Sequence, residues 1–91
     1  MAEIERGALM SALKAMIVKE CDKDMEPDEI GDEDRLIGGE LDLDSLDALQ
    51  ISMAVKDRYG VRIEGGPESR KALASVSALA DYILDAKAAA A

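Results

Sequence analysis

The sequence contains no histidine, no tryptophan and no phenylalanine, and its 91 residues include one cysteine, two tyrosines and two prolines. Each absence removes a class of chemistry. Without imidazole there is no histidine acid or base and no serine–histidine pair. The single cysteine, Cys21, cannot form an internal disulfide, and with no histidine no Cys/His zinc site can be assembled. Without tryptophan or phenylalanine the core must come from Leu, Ile, Val, Met and Ala, which suits helices better than sheets. No apolar run is long enough to span a bilayer and no signal-peptide core opens the chain, so a cytoplasmic protein without stable membrane insertion is expected. Positive charge is also scarce. Eleven Lys and Arg stand against 20 Asp and Glu, a net charge of -9. That argues against nucleic-acid and anionic-membrane partners and favours partners with basic surfaces.

What is present is helical periodicity. Ile4, Ala8, Leu9, Leu13, Met16 and Ile17 predict a helix over residues 3–20, with Glu3 and Glu5 in its first turn and Lys19 in its last. Residues 21–43 form a long acidic connection punctuated by Pro27, Gly31, Gly38 and Gly39. Ile30, Leu36, Ile37, Leu41 and Leu43 are the residues that could pin it to the helices. A second helix spans 45–59, with Asp44 as its cap, Asp47 three residues on and Gly60 at its end. Val61 and Ile63 read as buried, Gly65 and Gly66 as a turn, and Pro67 as the first residue of a short helix. Ser75 caps the last helix, whose stripe is Val76, Leu79, Ala80, Ile83 and Leu84. The tail 87–91 has little to bury and is expected to fray. The sum is a single all-α domain over residues 1–91: a small four-helix bundle, three helices long and one short, with a long first loop. A monomer is expected.

The acidic loop invites comparison with a calcium loop. Asp22, Asp24, Glu26, Asp28 and Glu33 fall at positions 1, 3, 5, 7 and 12 of the EF-hand template. The sixth position requires glycine at a sharp turn, and here it is Pro27, whose φ cannot be positive. Loose divalent binding at Asp22, Asp24 and Asp28 is the most that remains, beside the plain reading of a solvated acidic loop.

The second helix has two apolar sides. At about 100° per residue, Ile51, Val55 and Tyr59 fall on one side, with Ala48 and Ser52 beside them. Leu46, Leu49 and Met53 fall nearly opposite. Two readings of this second row stand: loop residues such as Leu41 cover it, or it is a partner-docking face rimmed by Asp44, Asp47 and Asp57.

Ser45 opens that helix. As a nucleophile it lacks a base: there is no histidine, Lys56 is three turns away, and no GxSxG elbow is present. It reads either as a plain N-terminal cap or as a modification site, where a phosphate would face backbone N–H groups at the positive end of the helix dipole.

Here the sequence resembles a family. "LDLDSLDALQISMAVKDRYGVRI" is similar to the second-helix region of acyl carrier proteins, in which an Asp-Ser-Leu tripeptide opens the helix. Leu41 before the tripeptide, Asp47 after it, Tyr59 at the helix end, Ile63, and "SVSALADYI" over 75–83 extend the likeness to nearly the whole chain. The resemblance implies that Ser45 carries 4′-phosphopantetheine through a phosphodiester, with Asp44 and Leu46 as its recognition flank. It implies that Asp47, Leu49, Met53 and Asp57 meet partner enzymes, and that Ile51 and Val55 lie near the sheltered acyl chain. A phosphopantetheinyl transferase, and ketosynthases or acyltransferases with basic docking surfaces, are the implied partners. The protein would be a carrier, not an enzyme, holding thioesters in fatty acid, specialised lipid or polyketide biosynthesis. The rivals are a peptidyl or aminoacyl carrier, and a non-covalent acidic calcium-binding or interaction module. Several residues depart from the family pattern: Asp42 where glycine is common, Gln50 where an acid is usual, Lys56 and Arg58 in an acidic segment, and a longer 63–75 loop lacking an Ile-Pro pair. These point to a specialised carrier. Ser52 is small where a bulkier apolar residue is common, which would widen an acyl cavity if it faces one.

Overall fold

The computed structural model of the chain describes residues 5–36, 44–64 and 67–90, with the backbone alone at Ser45 and Ala90. The described residues form four α-helices: α1 (Arg6–Glu20), α2 (Ser45–Tyr59), α3 (Pro67–Ala72) and α4 (Val76–Ala90). A 3-10 turn, Pro27–Glu29, interrupts the first loop. The described residues contain no strand, in keeping with the expected bundle of three long helices and one short.

The core is aliphatic throughout. Leu9, Leu13, Met16 and Ile17 of α1 meet Ile51 and Val55 of α2 and Val76, Leu79, Ala80 and Ile83 of α4. At roughly 1.5–3 kcal/mol for each large side chain removed from water, this cluster drives the fold. Ile30 and Leu36 are buried in it as well, so the acidic loop is anchored at two of the five predicted points. The other three, Ile37, Leu41 and Leu43, lie outside the described residues, as do Gly65 and Gly66.

The start of α1 corrects two expectations. The helix begins at Arg6, so Glu5 is its N-cap, and Glu5 makes no side-chain capping bond. Ala8 is exposed, because the buried stripe is set by Leu9, Leu13, Met16 and Ile17. A cation, Arg6, therefore occupies the first turn, where the helix dipole disfavours it. Asp81 of α4 compensates, accepting from Arg6 Nε at 2.8 Å, while Nη2 donates to Ser77 Oγ at 2.5 Å.

Further polar ties bind the loop to the same seam. Lys14 pairs with Asp32 at 2.6 Å, the Ser77 N–H donates to the Asp32 carbonyl at 2.9 Å, and the Leu36 N–H donates to the Ala74 carbonyl at 3.2 Å. Ser75 caps α4 as expected, accepting from the Ala78 N–H at 3.0 Å. In α4, Lys87, Ala88 and Ala89 are exposed, so the last turn buries almost nothing. The contrast is α2, whose extensive helix contact among the described residues is with α1.

Candidate functional site

The site is built on the N-terminal turn of α2. Asp44 is the N-cap: its Oδ1 accepts from the N–H groups of Leu46 and Asp47, both at 3.0 Å. Asp47 returns the bond, its Oδ2 accepting from the Asp44 N–H at 3.2 Å, which closes a capping box. Such a cap contributes on the order of 1 kcal/mol and fixes where the helix begins. Ser45 is thereby held as the first helical residue, and the cap expected of it is Asp44 instead.

One expectation changes as a result. The N–H groups of Leu46 and Asp47 are not available to a phosphate, because the Asp44 carboxylate takes both. The Ala48 N–H is committed to the Asp44 carbonyl at 2.9 Å. The residues fit an attachment point better than an anion-binding pocket. Both flanks, Asp44 and Leu46, are exposed, as a modifying enzyme needs.

The second apolar row of α2 is open to solvent. Leu46, Leu49 and Met53 are 65%, 55% and 61% exposed. Leu41, the loop residue that could cover the row, lies outside the described residues. Asp57 is exposed and Asp47 half-buried at the rim of the row, while the opposite side, Ile51 and Val55, is fully buried. Ser52 is half-buried at the boundary. Where this row meets the end of α1, an open groove of about 300 Å³ is lined by Glu20, Gln50, Met53, Ala54, Asp57 and Arg58. Glu20 could not be assigned to this site from sequence, because it comes from another helix.

Cys21 is the other neighbour that sequence reading left apart. It is the half-buried C-cap residue of α1, and its Sγ lies 4.0 Å from the Asp47 carbonyl oxygen. Burial, and then the Asp47 charge, push its thiol up to about 11. It stays protonated at neutral pH and is a poor nucleophile there.

The calcium reading finds no site. Among the described residues no three Asp, Glu, Cys or His side chains gather as metal ligands, and Pro27–Glu29 forms a 3-10 turn where the EF-hand needs its glycine bend. Asp22 has a different job. It sits at φ 52° after the Cys21 cap, its N–H bonding the Lys19 carbonyl while the Lys23 N–H bonds that of Val18. This is a Schellman ending with aspartate where glycine is usual.

The chain matches the phosphopantetheine attachment site family over residues 11–83, from within α1 to the buried Ile83 of α4. It belongs to that family. Among curated proteins, none matches the chain. As a phosphopantetheine-binding carrier domain, it takes covalent 4′-phosphopantetheine as its cofactor. Carrier domains of this type work with a phosphopantetheinyl transferase and with enzymes that process the carried group. No helix among the described residues is long and apolar enough to cross a membrane.

Proposed function

We propose that the domain is an acyl carrier with Ser45 as its attachment residue. The observation that carries this reading is the capped start of α2: Asp44 and Asp47 hold Ser45 at the first helical position, between exposed flanks, within the matched family region. Attachment forms a bond from the Ser45 hydroxyl oxygen to phosphorus as the nucleotide part of coenzyme A leaves, and the hydroxyl proton goes to a base. When attached, the group provides a terminal thiol that holds an acyl chain as a thioester.

The remaining work of the chain is presentation, and the domain itself catalyses no step. Asp44 and Leu46 flank the attachment point. Asp47, Leu49, Met53 and Asp57 form the face that partner enzymes read, an adaptable apolar row with an acidic rim. The net charge of -9 favours acyl-processing partners with basic surfaces over peptidyl ones. The acyl chain belongs to fatty acid, specialised lipid or polyketide synthesis, carried by a cytoplasmic monomer.

Intact mass after incubation with coenzyme A and a promiscuous phosphopantetheinyl transferase tests the reading. One phosphopantetheine adduct is expected on the wild type and none on Ser45→Ala. An unmodified wild type beside a modified control carrier would refute it.

A further inference from the structure

The two ends of α2 carry different charge. Asp44 and Asp47 open the helix, and Lys56, Asp57 and Arg58 close it. Lys56 and Arg58 are exposed, and neither forms an ion pair among the described residues. The local excess of cations extends beyond the helix. From Lys56 to Lys71, Lys56, Arg58, Arg62, Arg70 and Lys71 stand against Asp57, Glu64 and Glu68, in a chain of net charge -9.

The helix dipole accounts for cations at this end of α2. Arg58 lines the same open groove as Met53, the most C-terminal residue of the exposed apolar row. Glu20 and Asp57 line it too, so the groove is of mixed sign. Arg58 forms an ion pair with neither of them, so a partner that covers Met53 must desolvate its guanidinium or answer it with a carboxylate of its own. From Asp47 to Arg58 the helix rises about 16 Å. That exceeds the Debye length of roughly 8 Å at physiological salt, so the two ends act as separate electrostatic contacts.

We propose that α2 is read by a bipolar docking surface on an acyl-processing enzyme. That surface places a cation against Asp44 and Asp47, an apolar socket over Leu46, Leu49 and Met53, and at least one carboxylate against Arg58 and Lys56. A uniformly basic surface matches the first turn of α2 and opposes the last. This rests on the carrier reading and narrows the partner within it.

The test uses the full-length holo protein, its loading first established by intact mass. The probe is a ketosynthase whose carrier-docking surface is uniformly basic, and the readout is its kcat/KM for the acylated carrier at low and high salt. The double variant K56E/R58E is expected to gain at least about tenfold over wild type at low ionic strength, and to lose that gain in high salt. K56Q/R58Q, which adds no negative charge at the helix end, is expected to gain less. Replacing one basic docking residue of the enzyme with glutamate is expected to raise activity with the wild-type carrier and lower it with K56E/R58E. Equal rates for wild type and both variants, in a carrier that loads normally, would overturn the bipolar surface alone. A carrier that does not load at all would overturn the Ser45 assignment and this inference together.

Discussion

The α1–α4 seam and the outer face of α2 are made of similar residues put to opposite uses. Along the seam, charged groups are consumed internally: Arg6 by Asp81 and Ser77, and Lys14 by Asp32. On α2, Lys56, Asp57 and Arg58 make no such pairs among the described residues, and three large apolar side chains stay in water. A helix that leaves Leu46, Leu49 and Met53 exposed gives up burial free energy that the same residues would gain on docking. The seam holds the bundle together, and the α2 face is the one proposed to meet a partner.

The comparison is most sharply tested by two truncations. Leu79→Ala, in a fully buried position of α4, is expected to cost about 2–5 kcal/mol in urea unfolding. Met53→Ala is expected to stay within about 0.5 kcal/mol of wild type while slowing turnover by partner enzymes. A large stability loss for Met53→Ala would mean that the exposed row is structural after all.

Asp44→Ala comes next. It removes the acceptor for two N–H groups and is expected to cost about 0.5–2 kcal/mol, read by the same unfolding curves. Transfer of phosphopantetheine should slow with it, because the turn that positions Ser45 loosens.

A third change should stabilise. Asp22 adopts φ 52°, a conformation that costs L-residues roughly 1–2 kcal/mol and glycine little. Asp22→Gly is therefore expected to raise stability by about 1 kcal/mol or less, part of the relief being returned as unfolded-chain entropy.

The smallest effect belongs to the seam's exposed ion pair. The Arg6 hydrogen bond holds the Asp81 carboxyl below its ordinary range. Its contribution is therefore full above the unfolded carboxylate pKa, near 3.9, and is lost as pH falls through the lower folded value. Asp81→Asn should be slightly less stable than wild type at pH 7, and the gap should close in thermal melts below about pH 4.

Local features were legible from sequence and long-range ones were not. The Asp44/Asp47 box, the Gly60 end and the Ser75 cap each involve residues within four positions of one another, and all three appear where the spacing places them. The buried and exposed sides of α2 also follow from its period. The Schellman ending at Asp22 gave no glycine signal, so its acid read as a candidate cation ligand. The ties of Asp32 to Lys14 and Ser77, and the approach of Cys21 to Asp47, depend on how distant segments pack, which no local pattern encodes.

The central claim is that the group is carried at the capped start of α2. Trypsin should release residues 36–56 of the holo protein as one peptide, which contains two serines, Ser45 and Ser52. Fragmentation mass spectrometry of that peptide locates the group. The account predicts phosphopantetheine on Ser45 and an unmodified Ser52; the group on Ser52, or on a serine elsewhere in the chain, would contradict it.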